Sequence, residues 1–206
     1  MSERKIKPVE NNILKQRTYA KLLGRYKLAV RNEFYFEAMI IIYAMLEDRL
    51  QSILYHTGVI GNKSKMSTHK KTKGYLQNMV ATYQGDDQKV SLGMKNITGK
   101  LTIIKAMLKW VTECENVEEK YLLLLKSALE TIDIGAMIET IECLEGWLKY
   151  RNEVIHASMN KDIDCLFSDL RERVEEGMRY ARIIDNQAKI LKKNSKVRKK
   201  MNLGNN

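Results

Sequence analysis

The sequence predicts an all-α helical bundle, and three observations carry that expectation. A single proline, Pro8, leaves the interior of the 206-residue chain free of helix breakers. Long segments rich in Leu, Ile, Met, Lys and Glu repeat their apolar residues at spacings of three and four, the period of a helix turned toward a core. No stretch of any length alternates apolar and polar residues as a half-buried strand would. With 44% apolar residues the chain can bury one sizeable core. Residues 1–191 are therefore expected to form one domain, and 192–206 a basic tail too poor in apolar surface to repay ordering.

Taken in order, residues Glu10 to Val30 predict a first helix with Ile13, Leu14, Leu22, Leu23 and Leu28 as its apolar positions and a basic, surface-lying remainder. Asn32 to Tyr55 is apolar nearly all round (Phe34, Phe36, Met39, Ile40, Ile41, Ile42, Met45, Leu46), the mark of a central, buried helix. Within it Ile40, Tyr43, Glu47, Leu50 and Leu54 form a stripe interrupted by one charge. Gly58 to Lys73 has no periodicity and predicts a mobile basic loop whose five lysines, Lys63, Lys65, Lys70 and Lys71 among them, suit phosphate contacts.

A short helix is expected over Tyr75 to Tyr83, closed by Gln84-Gly85-Asp86-Asp87, whose aspartates read as turn and cap residues rather than cation ligands. Gly93 to Lys100 has five residues between its glycines and Leu101 where a magnesium-binding hydroxyl belongs, so it is not a P-loop. Leu101 to Val111 predicts the next helix. Asn116, followed by Glu118 and Glu119, looks like the cap of another that includes Tyr121 to Leu125.

Asp133 is the expected cap of a strongly periodic helix that carries Ile141, Leu144, Leu148, Arg151 and Ile155 on one stripe, with Trp147 as a packing residue. After a turn from Ser158 to Asp164, a long last helix from about Ile163 to Leu191 repeats Leu166, Leu170, Val174, Met178, Ala181 and Ile184, and its short connection predicts antiparallel packing on the preceding helix.

Formal net charge is +11, unevenly spread. The first thirty-one residues hold nine basic and two acidic side chains, Lys189 to Lys200 hold seven basic and none acidic, and Glu113 to Glu145 holds nine acidic and two basic. Such sorting predicts one surface for a polyanion and another of opposite sign. The odd, widely spaced Cys114, Cys143 and Cys165 are expected to be reduced core thiols, not a disulfide set or a zinc site. No uncharged apolar run is long enough to cross a bilayer and the first residues lack an apolar signal core, so a cytoplasmic protein without membrane contact is expected.

Function is concentrated in Arg151-Asn152-Glu153-Val154-Ile155-His156. Arg151 interrupts an apolar seam, and a guanidinium that cannot discharge must there find a carboxylate, a phosphate or water. Glu47, on the interrupted stripe of the second helix, is its expected partner. Asn152 and His156 are four residues apart and share a face, so the amide can orient the imidazole. Arg151 and His156 lie about 140° apart on an ideal helix, and converge only if the arginine reaches round, the last turn unwinds, or a second copy closes the gap.

The run Arg151-Asn152-x-x-x-His156, late in an all-α chain, resembles the motif of HEPN domains, in which an Arg followed four to six positions later by His marks the ribonuclease members. The resemblance implies a HEPN-like bundle and metal-independent RNA cleavage by a homodimer with a composite site, needing no cofactor. It places the chain beside toxins of toxin–antitoxin pairs, abortive-infection proteins and antiviral defence nucleases. Ser158 stands where toxins paired with a nucleotidyltransferase antitoxin often carry Tyr, which sets the chain apart from that subgroup.

On this reading His156 moves the proton, Arg151 stabilises the extra phosphate charge, and Asn152 orients the imidazole or holds phosphate. Lys63, Lys65, Lys70, Lys71, Lys192, Lys193 and Arg198 would contact the RNA backbone. The rival expectation is a non-catalytic RNA-binding or partner-binding protein, an antitoxin-binding or scaffold subunit whose basic tail does the work.

Overall fold

A computed structural model describes residues 12–61, 70–84, 92, 94, 96–157 and 167–203. Among these the chain is all helical, without strands. The elements are α1 (Asn12–Arg31), α2 (Tyr35–His56), α3 (Lys70–Gln84), α4 (Ile97–Glu113), α5 (Lys120–Leu129), α6 (Ile134–Ala157), α7 (Leu170–Asn194) and α8 (Val197–Lys200). No described helix is long and apolar enough to cross a membrane.

The spine of the bundle is α2 against α7, the most extensive helix contact in the fold. Along it Phe36 meets Phe167, Arg49 meets Asp185, and Ser195 reaches the His56 carbonyl, so the two helices run parallel. Nine residues of α2, from Ala38 to Leu54, are buried. Ile40, however, is 42% exposed and Phe34 60% exposed, so α2 is not apolar-packed on every side. α6 lies antiparallel to α7, as its short connection predicts: Gln187 accepts from the Asp133 N–H, Trp147 donates to the Arg173 carbonyl, and Arg173 covers the Tyr150 ring. The bundle thus has two poles, one holding the ends of α6 and the starts of α2 and α7, the other holding the ends of α2 and α7 with α8.

Several boundaries differ from expectation for local reasons. α3 begins at Lys70, because a Lys-rich stretch has good helix propensity without a visible apolar period. Gly58, Val59 and Ile60 are buried rather than part of a loose loop. α5 starts after Glu119, not Asn116, and Glu119 makes no side-chain cap bond. Asn96 caps α4 by accepting from the Gly99 N–H at 2.8 Å, and Asp133 caps α6 by accepting from the Ala136 N–H at 2.9 Å. Cys114 is half-buried and Cys143 exposed, so these two thiols are not core residues. Cys165, Leu166, the 158–164 turn and the 85–87 turn lie outside the described residues.

The expected disordered tail is corrected through Leu203. Ser195 donates to the His56 carbonyl at 2.7 Å, Val197 is fully buried, and Arg198 lies 3.8 Å from the Tyr55 ring centroid while donating to the carbonyls of Ile60 (2.9 Å) and Leu203 (3.1 Å). Gly58 makes room for this docking. Its φ of +77° is strained for any residue with a side chain, and a β-carbon there would meet Val197 Cγ1 at 2.9 Å and Leu203 Cδ1 at 3.0 Å. Composition alone misjudged the tail because a few apolar contacts and one arginine, not bulk hydrophobicity, hold it.

Candidate functional site

The motif occupies the last two turns of α6. Trp147, 1% exposed and hydrogen-bonded from Nε1 to the Arg173 carbonyl at 2.6 Å, fixes this helix on α7 one turn before Arg151. Val154 is fully buried on the same side. The stripe read from the sequence is therefore the packing face, and Arg151 does interrupt it.

Arg151 finds an aromatic ring instead of a carboxylate. Its guanidinium carbon lies 4.1 Å from the Tyr43 ring centroid, a cation–π geometry, and Nη1 donates to Asn152 Oδ1 at 3.0 Å. Nε is buried and has no hydrogen-bond partner among the described residues. The expected pairing with Glu47 is corrected: Glu47 Oε1 accepts from Lys100 Nζ at 2.7 Å, and the Lys100 side chain is only 5% exposed. A buried ammonium needs a carboxylate more than a stacked guanidinium does, because its charge is compact and strongly hydrated. Tyr43 sits one turn before Glu47 on the same interrupted stripe of α2, and an aromatic face can hold a guanidinium as a carboxylate does.

Asn152, Glu153 and His156 are exposed. The Asn152 side-chain oxygen serves Arg151, not His156. α6 remains helical through Ala157, so the last turn does not unwind and the angular separation of Arg151 and His156 stands at about 140°. Nearby, burial raises the Tyr150 pKa, helped by Asp169, while the Arg173 guanidinium 5.1 Å from its ring pulls the other way.

The remaining sequence-predicted contacts scatter. Lys63 and Lys65 lie outside the described residues. Lys70 and Lys71 belong to α3, not to a loop. Lys192 and Lys193 are exposed at the far pole, while Arg198 is occupied with backbone carbonyls. Among the described residues no group of His, Cys, Asp and Glu is placed to hold a metal ion. A cavity of about 140 Å³ between α3, α4 and α6, lined by Tyr83, Lys105, Lys109 and Glu145, is distinct from the motif. Compared with protein-family models, curated proteins and solved structures, the chain matches none of them significantly.

Proposed function

We propose that this protein is a metal-independent endoribonuclease of the HEPN type, acting on RNA as a homodimer in a cytoplasmic toxin or antiviral-defence setting. One observation carries the reading: a guanidinium with a buried N–H that finds no partner among the described residues and an exposed imidazole stand on the last turns of one anchored helix, in the order that marks the catalytic HEPN members. In the proposed reaction the ribose 2′-hydroxyl attacks its own phosphorus and the 5′-oxygen of the next nucleotide leaves. The products are a 2′,3′-cyclic phosphate and a 5′-hydroxyl.

His156 takes the 2′-hydroxyl proton or protonates the leaving oxygen, since an imidazole can both accept and donate a proton through its ring nitrogens. One histidine serves one of the two transfers and water the other, and the site is composite: the mate's His156 faces Arg151 of the first protomer across the twofold axis. Arg151 offers its fork to two phosphate oxygens as negative charge grows on them. The Tyr43 ring holds that fork without neutralising it, and Asn152 limits its rotation.

The second reading, a non-catalytic RNA-binding or antitoxin-binding protein, draws on the same stack, since Tyr43 already gives Arg151 a structural partner. Its partner-facing surface would be the acidic Glu113 to Glu145 span. Incubating purified protein with single-stranded RNA in excess chelator separates the two. The nuclease reading expects cleavage with cyclic-phosphate ends that His156→Ala abolishes. Intact RNA, or cleavage that survives His156→Ala, would overturn it.

A further inference from the structure

Exposed basic charge on this molecule is concentrated on α1 and at the C-terminal end of α7. α1 carries Lys15, Arg17, Lys21, Arg25, Lys27 and Arg31 and no acid. All six are exposed, while Tyr19, Leu22, Leu23, Tyr26 and Ala29 pack on the core. The helix therefore presents its charge outward. A second acid-free run, Lys192, Lys193, Lys196, Lys199 and Lys200, is exposed over the last turn of α7 and α8.

The two runs belong to one surface. Arg49 lies 4.9 Å from the Tyr19 ring centroid of α1 and donates to Asp185 of α7 at 3.2 Å. Beyond that tie, His56 receives Ser195 at its carbonyl, and burial together with Lys192, Arg198, Arg49 and Lys15 pushes its imidazole down to about 4. Lys15 of α1 and Lys192 of α7 thus act on one residue. The carboxylates in this region are taken: Asp48 pairs with Arg49, and Asp185 with Arg49 and Lys189. Lys15, Arg17, Lys21, Arg25, Lys192 and Lys193 enter no ion pair among the described residues. Arg17, Lys21 and Arg25 are like charges one turn apart, an arrangement that opposes the helix unless a polyanion relieves it.

We propose that the N-terminal half of α1 and the C-terminal end of α7 form a phosphate-binding ridge for single-stranded RNA toward the pole opposite Arg151 and His156, so that a bound strand is gripped at one end and cut at the other. The identity of the polyanion rests on the nuclease reading; the ridge itself rests on the geometry above. From Tyr43, where Arg151 docks, to His56 is thirteen residues of α2, about 20 Å, and His156 lies about 7 Å farther out along α6. A strand stacked at about 3.4 Å per nucleotide needs roughly eight nucleotides to bridge that span.

The test uses the full-length chain carrying His156→Ala, so that RNA is bound without being consumed. Anisotropy of a labelled 20-nucleotide single-stranded RNA is followed from 50 to 200 mM salt, with and without Arg17→Gln, Lys21→Gln, Lys192→Gln and Lys193→Gln together. Each lost phosphate contact lowers the slope of log K against log salt by about 0.7, so the quadruple variant should lose between about 1.5 and 3 in slope and at least tenfold in affinity at the lower salt. A six-nucleotide RNA should bind the unsubstituted ridge weakly. Unchanged affinity and slope with unchanged circular dichroism would overturn the ridge, as would binding to phosphatidylserine vesicles but not to RNA. If wild-type protein fails to cleave RNA yet the ridge variants lose binding, the nuclease reading falls and the ridge stands. If it cleaves and the ridge variants bind normally, only the ridge falls.

Discussion

Gly177→Ala in α7 tests the account of how the motif helix is held, because two ordinary effects predict opposite signs. Helix propensity alone favours alanine by about 0.8–1 kcal/mol. A β-carbon at Gly177, however, would meet the Trp147 indole Cε2 and Cζ2 at 2.6 Å and Nε1 at 2.7 Å. That ring cannot swing aside cheaply, being 1% exposed and tied to the Arg173 carbonyl at 2.6 Å. Overpacking a rigid core costs about 1–3 kcal/mol, and a lost indole hydrogen bond about 1 more. Set against the propensity gain, the net is about 1–3 kcal/mol of destabilisation. For a chain of this length each kcal/mol moves Tm by about 2–4 °C, so melting followed by circular dichroism should fall by roughly 3–10 °C. An unchanged or raised Tm would refute the reasoning and mean that Trp147 does not pin α6.

Three further outcomes follow from the same geometry. Glu47→Gln strands a buried ammonium and should lower the urea midpoint by the equivalent of about 1–3 kcal/mol, discounted because Glu47 is partly exposed, whereas Lys100→Met should cost less than about 1; the reverse order would contradict the pairing. His56 has a folded pKa pushed down to about 4 by burial and by Lys192, Arg198, Arg49 and Lys15, so the unfolded chain binds the extra proton first: stability is fully present above about 6.5 and falls as pH drops toward 4. His56→Gln should flatten that fall in urea midpoints measured between pH 7 and 4.5, and an unaltered fall would assign it to other groups. Tyr43→Phe keeps the ring face under Arg151 and should preserve RNA cleavage within about twofold, while Tyr43→Leu, losing a contact of about 1 kcal/mol, should reduce it about five- to tenfold; equal effects would mean the ring does not position the guanidinium.

What the sequence made legible is what periodicity encodes. The stripes of α2, α6 and α7, the Asp133 cap and the packing role of Trp147 all follow from residues within one helix. What it hid depends on which distant groups meet. Lys100 gives no local sign that it will take Glu47, and Arg198 looks like one more tail charge until Tyr55 and the Ile60 carbonyl are brought beside it. α3 and α5 start away from where the sequence points because lysine-rich first turns carry no apolar period and because Asn116 has the chemistry of a cap without the position. Arg151 on its apolar seam does need a partner, but takes the Tyr43 ring, one turn before Glu47 on α2.

Mixing the two dead variants tests the central claim most directly. If Arg151 of one protomer and His156 of its mate act on one phosphate, an Arg151→Ala/His156→Ala dimer holds one intact site and one doubly broken site. With random pairing in a one-to-one mixture, half the dimers are mixed, so RNA cleavage should return to about a quarter of the wild-type rate although each variant alone is inactive. A mixture as inactive as its components, or cleavage that persists in either variant alone, would contradict the account.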